Sequence, residues 1–280
     1  MNEVLNMSKI YLLQNDNFEN EIDTEIARTI LNKYKGYTYS EYTFKEIGKK
    51  QLSLTFDIHD YFNDIYDIIP IGDIEFVRNV MILKYNPKFI EQPIEIPTYL
   101  QTSEFLKRTY KVVKWNEIPR TGKWFLKDAS KLKYLSVLTD MEFFINDEMF
   151  DYVPKTKFDA SLSLPKSDDY IISTPYQIES EYRVYVINNK IVSIVNYSNT
   201  AGPLPDIKLI NRAVELIKSN EEYLKSYSID VMVGPKGTAI IEIHNFASLG
   251  LYSTTFDHNL LKAYIQGIEY YIYDNSIKYK

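Results

Sequence analysis

The N-terminal part of the chain arranges hydrophobic and polar residues in a way that predicts a β-α opening. A short apolar run over 9–13 predicts a strand, and apolar residues at helical spacing predict a helix over 19–34. Further strands are predicted over 51–56 and over 69–77, the last with a Gly-Asp turn inside it. Together these elements predict an N-terminal α/β lobe.

A proline-rich stretch follows this lobe and predicts a boundary between two parts of the chain. Pro87, Pro93 and Pro97 lie close together, and such punctuation is typical of a linker. We therefore place the boundary near residue 95, with an N-terminal lobe at 1–95 and a second region at 96–280.

Antiparallel hairpins backed by helices are predicted for the second region. Two pairs of alternating runs are each joined by a tight-turn sequence: 180–187 and 190–197 by Asn-Asn at 188–189, and 227–233 and 238–243 by Gly-Pro-Lys-Gly at 234–237. Asp206 is the predicted N-cap of a helix through Lys218. The remaining predicted elements are helices over 102–110 and 257–273 and strands over 123–127 and 170–174. This pattern is α+β and lacks a glycine-rich phosphate loop.

Composition and charge exclude several classes of protein. The 280 residues carry a formal net charge of -6, which argues against a general nucleic-acid binder, because that affinity comes from clustered Lys and Arg. The absence of cysteine excludes disulfides and thiol nucleophiles, so any metal should be a hard ion with oxygen ligands. No apolar run approaches the ~18 residues of a membrane span, and 1–14 lacks the apolar core of a signal peptide. We therefore expect a cytoplasmic protein without membrane association.

Two carboxylates stand inside otherwise apolar strands near the end of the second region. Strand alternation places Glu242 and His244 on one face, and one bulged residue at the turn of the hairpin would set Asp230 opposite Glu242. Facing carboxylates repel each other unless a cation such as Mg²⁺ lies between them. The alternative is that these acids line a solvated face of the sheet.

Two further segments carry candidate phosphate ligands. Arg183 projects on the same strand face as Glu181, which could orient its guanidinium for a phosphate or carboxylate. The alternative is a salt bridge on a solvated face. Lys127 ends an apolar strand and is followed by Lys131 and Lys133. Lys127 could reach into a cleft as a phosphate ligand, although lysines at strand ends are usually solvated.

The order of several short motifs resembles the ATP-grasp superfamily, and within it a clade of amide-ligase-like proteins common in bacteria and their viruses. The motifs are FLK at 125–127, SEYRVYV at 180–186, SIDVMV at 228–233, IIEIHNF at 240–246 and SLGLY at 248–252. The likeness covers roughly residues 97–256, and PIGDIEFVRNVM at 70–81 resembles the end of the N-terminal lobe of that clade. Several separated motifs in the right order are more specific than any one of them.

The resemblance implies two lobes of antiparallel sheet plus helices that clasp ATP. It also implies roles for individual residues. ATP would be contacted by Lys127 at the α- and β-phosphates, by Lys131 or Lys133 from a lid, by a hinge over 172–176 that includes Thr174 and Tyr176, and by Arg183 with Glu181 beside it. Mg²⁺ would be held by Asp230, Glu242 and either His244 or Asn245.

The reaction implied by the resemblance is the joining of a carboxylate to an amine. ATP phosphorylates the carboxylate of a small molecule or peptide, and an amine then attacks the acyl phosphate to give an amide, with release of ADP and phosphate. No protein nucleophile is required, so the lack of cysteine is compatible with this chemistry.

Three positions depart from the pattern of the clade. Asp128 stands where Pro is usual, Leu135-Ser136 replaces a Thr-Gly pair in the lid, and His244 replaces Asn in the metal motif. Imidazole is a poorer Mg²⁺ ligand than an amide oxygen. Either His244 is a weak ligand or one that also accepts Mn²⁺, or Asn245 replaces it through a local bulge.

Two other functions compete with this one. The departures would suit a non-catalytic nucleotide-binding or interaction protein whose active site has decayed. A nucleotidyl-transferring ligase of nucleic acids would need a K-x-D-G motif, which the sequence KDAS at 127–130 does not supply. We favour the enzyme because Lys127, Arg183, Asp230 and Glu242 occur together.

Overall fold

The computed structural model describes residues 8–14, 38–42, 66–71, 77, 80–81, 84, 96–119, 121–129, 136–140, 169–198, 201–222, 224–245, 264–270 and 272. Eleven strands among these residues form one three-stranded sheet and two four-stranded sheets. Within this part of the chain, no helix is both long enough and apolar enough to cross a membrane.

The N-terminal sheet is parallel. Its strands are β1 (Ser8–Gln14), β2 (Thr38–Tyr42) and β3 (Tyr66–Ile71), in the order β2-β1-β3. Parallel neighbours need a crossover connection, so this sheet agrees with the predicted β-α opening. The helix predicted over 19–34 and the strand predicted over 51–56 lie outside the described residues.

The strand predicted over 69–77 is wrong in its extent. It begins at Tyr66 and ends at Ile71, and Val77, Val80 and Met81 are helical and buried. These three residues recur at the spacing of one helix face, a period that the apolar run concealed.

The first antiparallel sheet has the strand order β4-β7-β5-β6. Its strands are β4 (Tyr110–Val113), β5 (Lys123–Asp128), β6 (Ser136–Asp140) and β7 (Tyr170–Ser173). The strands predicted over 123–127 and 170–174 are confirmed as β5 and β7, whereas β4 and β6 were not predicted. The helix predicted over 102–110 is a single turn, α1 (Ser103–Leu106).

The second antiparallel sheet has the order β11-β10-β8-β9. Its strands are β8 (Ser180–Ile187), β9 (Lys190–Asn196), β10 (Tyr227–Gly234) and β11 (Gly237–Asn245). Both predicted hairpins are confirmed. Asn188 and Asn189 have φ values of 49° and 58°, the left-handed pair that a tight two-residue hairpin turn requires.

One face of this second sheet is covered by α2 (Ile207–Asn220). As predicted, the Asp206 side chain caps this helix by accepting hydrogen bonds from the backbone N–H groups of Lys208 and Leu209. The buried face of α2 packs in a hydrophobic core with side chains from β8, β10 and β11. The described part of the predicted final helix, 264–270, is helical.

Strand alternation leaves the other face of this sheet for polar groups. In β10, Tyr227, Ile229 and Val231 belong to the hydrophobic core, so Ser228 and Asp230 lie on the opposite face. That polar face carries the candidate site.

Candidate functional site

A β-bulge in β11 brings Glu242 opposite Asp230. The ladder between β10 and β11 runs regularly from the turn to the pair of Val231 with Ile240, and the next pair is Asp230 with Glu242, so Ile241 is the extra residue. The predicted pairing of the two acids is therefore correct, but the bulge lies at Ile241 and not at the turn. If the ladder had no bulge, strict alternation from the turn would place Glu242 on the core face of the sheet.

Asp230 is held by Arg183 of the neighbouring strand. Nε and Nη2 of Arg183 donate to Oδ1 and Oδ2 of Asp230 at 2.8 and 2.7 Å, a bidentate pair in which the residues are only 5% and 2% exposed. Burial alone would raise the pKa of Asp230, but the hydrogen bonds from Arg183 and the positive charges of Arg183 and His244 hold it below its ordinary value. The aspartate is therefore ionised inside the protein.

His244 completes a cluster of three groups that could hold a metal ion. Its Nε2 lies 2.7 Å from Oε1 of Glu242 and 3.5 Å from Oδ2 of Asp230, and the ligand atoms of the three residues all lie within 4.8 Å of one another. This nitrogen is buried and has no aligned hydrogen bond. Burial lowers the pKa of His244, and the two carboxylates outweigh burial and raise it. The three groups offer two carboxylate oxygens and one imidazole nitrogen at mutual distances that one ion can span, so this donor set fits a divalent ion once the imidazole has lost its proton.

Lys127 reaches this cluster from the other antiparallel sheet. Its Nζ donates to Oε2 of Glu242 at 2.6 Å, and the two side chains are 18% and 24% exposed. Lys127 belongs to β5 and Glu242 to β11, so the cluster lies where the two antiparallel sheets meet.

Tyr197 is a site residue that the sequence did not reveal. Cζ of Arg183 lies 5.8 Å from the centroid of its ring, within the range of a cation-π contact. Burial raises the pKa of Tyr197, and so do the negative charges of Asp230 and Glu181. Tyr197 follows directly after β9 and its backbone N–H donates to the carbonyl of Glu181, which fixes it at the edge of the polar face. One tyrosine among 25 offered no signal of this place.

Glu181 adds a third acidic group to this face. Burial raises its pKa, and the negative charges of Asp230 and Glu242 raise it further. The sequence predicted that Glu181 orients Arg183; the orientation seen here comes from the bidentate contact with Asp230.

The predicted hinge connects the two antiparallel sheets. Thr109 and Thr174 bond reciprocally, each backbone N–H donating to the other hydroxyl, at 3.2 and 3.0 Å. The Tyr176 hydroxyl donates to the carbonyl of Gly237, the first residue of β11. At Gly234, the last residue of β10, a Cβ atom would lie 2.9 Å from the Tyr176 ring and 2.0 Å from the carbonyl oxygen of Gln177, so the end of the hinge lies directly against the β10-β11 turn.

Three further residues were predicted to contact ATP or the metal ion. Lys131 and Lys133 lie outside the described residues. Asn245 is buried at the end of β11, paired in register with Tyr227, whose side chain is in the hydrophobic core. Alternation therefore favours His244 over Asn245 on the polar face.

Known structures share this architecture at low sequence identity. An ATP-grasp RimK domain protein from Sphaerobacter thermophilus is 10% identical with a TM-score of 0.53, over 93% of this chain and 98% of that one. D-alanyl-alanine synthetase A from Vibrio cholerae is 12% identical with a TM-score of 0.52, over 94% and 99%. The ATP-grasp ligase PsnB, complexed with its precursor peptide PsnA2 and AMPPNP, is 11% identical with a TM-score of 0.51, over 94% and 98%. The fold is the ATP-grasp fold.

The sequence itself identifies the family. The model of an ATP-grasp domain family, the R-2-K clade family 2, matches residues 105–262, more than half of the chain, and the protein belongs to that family. The resemblance predicted from the motifs is thus confirmed. No curated protein matches the sequence.

Proposed function

We propose that the protein is an ATP-dependent ligase that joins a carboxylate to an amine through an acyl phosphate, with release of ADP and phosphate. The observation that carries this proposal is the convergence of two cationic side chains on one carboxylate cluster: Lys127 from β5 and Arg183 from β8. Phosphoryl transfer depends mainly on positioning and on neutralising the charge of the moving group. Cations presented from two sheets beside a candidate metal cluster suit that requirement.

In this proposal ATP lies between the two antiparallel sheets. Lys127 binds the α- and β-phosphates, Lys131 or Lys133 reaches them from a lid, and the hinge meets adenine. Because the backbone N–H of Thr174 already donates to the Thr109 hydroxyl, the adenine contacts would use the other polar groups of the hinge, including the Thr174 carbonyl and Tyr176.

Asp230, Glu242 and His244 would hold the divalent ion, Mg²⁺ or Mn²⁺. When bound, such an ion neutralises phosphate oxygens as a Lewis acid. Asn245 is the less favoured third ligand because it pairs with the core residue Tyr227.

The two cationic side chains, Arg183 and Lys127, differ in how firmly they are held. Arg183 is held by two hydrogen bonds to Asp230, so its charge stays beside the cluster while the phosphoryl group moves. Lys127 is partly exposed on a flexible stem, so its ammonium would leave Glu242 for a phosphate oxygen when ATP binds. Glu242 is then released for the cation.

The chemistry has two steps. An oxygen of the substrate carboxylate attacks the γ-phosphorus of ATP, and the bond to the β-phosphate oxygen breaks to release ADP. The nitrogen of an uncharged amine then attacks the acyl carbon, phosphate leaves, and the nitrogen loses a proton. Negative charge develops on the reacting groups in each step, and Arg183 would stabilise it electrostatically.

The substrates proposed are small-molecule or peptide carboxylates and amines. Among the structurally similar proteins, one is a D-alanyl-alanine synthetase and another is bound to a precursor peptide, so the shared fold accommodates both sizes. The net charge of -6 does not favour a nucleic-acid substrate.

We also propose that 96–280 forms the catalytic region and that 1–95 forms a separate N-terminal lobe that contributes to substrate choice. Both antiparallel sheets and every described site residue lie after residue 95, and the parallel sheet lies before it. The two parts therefore differ in sheet type as well as in content.

The test is nucleotide turnover by the purified chain in the presence of amino acids, short peptides and polyamines. We expect ADP release that depends on both a carboxylate and an amine, and no release by Glu242→Ala. Release of AMP would indicate a nucleotidyl transferase. Binding of Mg-ATP, seen as a raised thermal midpoint, without turnover on any substrate pair would indicate a non-catalytic protein.

A further inference from the structure

We infer that the cluster is a mixed nitrogen and oxygen site that selects Mn²⁺ over Mg²⁺ through direct ligation by His244. This inference rests on the proposed function for the location of the ion, but not on the reaction. The third group of the cluster is an imidazole, which in this position is either a ligand or a counter-ion.

The geometry favours a ligand. Neighbouring ligands of one octahedral ion lie about 3 Å apart, since each is 2.0–2.1 Å or slightly more from the metal. Nε2 of His244 is 2.7 Å from Oε1 of Glu242 and 3.5 Å from Oδ2 of Asp230, values on either side of that separation.

The surroundings of the nitrogen point the same way. The His244 side chain is 9% exposed, and its Nε2 lies between two carboxylates without an aligned hydrogen bond to either. A protonated imidazole serving only as a counter-ion would gain most from a linear hydrogen bond to one oxygen. Nε2 of His244 instead faces the space between the two carboxylates.

The choice of ion follows from ligand chemistry. Mg²⁺ takes oxygen ligands almost exclusively, whereas Mn²⁺ binds carboxylate and phosphate oxygens and also accepts imidazole more readily. Two carboxylates, one imidazole and the phosphates of a nucleotide make a set in which Mn²⁺ uses every donor. His244→Asn would restore an all-oxygen set and remove the discrimination.

The experiment compares the binding of Mn²⁺ and Mg²⁺ complexes of AMPPNP to the full chain, by calorimetry or thermal shift. The preference for Mn²⁺, taken as the ratio of the two dissociation constants, should fall about tenfold in His244→Asn. The control is His59→Asn, because His59 lies outside the matched family region of 105–262. This variant should keep the preference for Mn²⁺ of the natural chain. An unchanged ratio in His244→Asn overturns the inference.

A spectroscopic arm separates the two proposals. With Mn²⁺ alone and with Mn²⁺ and AMPPNP, the pulsed electron paramagnetic resonance spectrum should show coupling to an imidazole nitrogen, and His244→Asn or His244→Gln should remove it. Failure of Mn²⁺ to bind, or binding without nitrogen coupling, overturns the inference. Nitrogen coupling in a protein that releases no ADP would retain the site and overturn only the proposed ligase activity.

Discussion

Nζ of Lys127 lies 2.6 Å from Oε2 of Glu242, and this ion pair joins the first antiparallel sheet to the second across the candidate site. Both groups have another partner in the proposed reaction, a phosphate for the lysine and a cation for the glutamate. The pair therefore keeps the two side chains close to their working positions while the nucleotide is absent.

Replacement of Lys127 by Met should separate its structural role from its binding role. Both side chains of the ion pair are partly exposed, so the free energy of unfolding should fall by less than about 1 kcal/mol. The rise in thermal midpoint with Mg-ATP should be lost, because the phosphates lose their cation. The matched control is Lys114→Met, which breaks an exposed ion pair with Asp169 and should leave the thermal shift intact. A normal shift in Lys127→Met would refute the phosphate role.

The buried pair of Arg183 with Asp230 should behave differently. Asp230→Ala leaves a guanidinium buried without its partner and should lower the free energy of unfolding by about 3–5 kcal/mol. Arg183→Met in the same chain should recover much of that loss, since both charges are then gone. Urea unfolding of the metal-free protein measures both values.

The control for this cycle is the exposed ion pair of Arg212 with Glu104, where Glu104→Ala should cost no more than about 1 kcal/mol. Additive losses in Asp230→Ala combined with Arg183→Met would show that the two side chains do not depend on each other.

Tyr197 should support turnover through Arg183. Tyr197→Leu removes the ring face beside the guanidinium, a contact worth about 0.5–2 kcal/mol, and should lower kcat for ADP release while the KM for ATP changes little. Tyr197→Phe keeps the ring and should retain most of the rate. Equal losses in the two variants would assign the effect to the hydroxyl and not to the ring.

The close approach of the hinge to the β10-β11 turn makes a prediction about two glycines. Gly234→Ala would place a Cβ 2.0 Å from the Gln177 carbonyl oxygen, so the hinge or the turn must move, at about 3 kcal/mol or more. Gly237→Ala has open space around the new carbon and meets only the strain of φ +95°, about 1–2 kcal/mol. Chemical unfolding and ATP affinity should both rank Gly234→Ala as the more damaging. The reverse order would mean that the hinge does not depend on this contact.

The local parts of the architecture were predictable from sequence because their causes are local. Asn188 and Asn189 tolerate the left-handed backbone that a short hairpin needs, and Asp206 supplies the acceptor that begins α2. The facing of Asp230 and Glu242 followed from alternation plus one bulge, although the position of the bulge did not.

The contacts that assemble the site were not predictable in the same way. Arg183 meets Asp230 across 47 residues of chain, and Lys127 meets Glu242 across 115. Which strands become neighbours, and in which register, is decided by the packing of whole elements. The spacing of residues in the sequence does not reveal which strands pair. The contact of Tyr197 with Arg183 was therefore found only in the structure.

The bulge at Ile241 has a consequence for how β11 tolerates changes in length. The strand carries one residue more between Gly237 and Glu242 than its ladder with β10 uses. Loss of any single residue there would convert the ladder to a regular one and leave Glu242 facing Asp230. Loss of two would pair Glu242 with Val231 and turn its carboxylate into the hydrophobic core. The strand β11 can therefore lose one residue between Gly237 and Glu242, but not two, and still place Glu242 opposite Asp230.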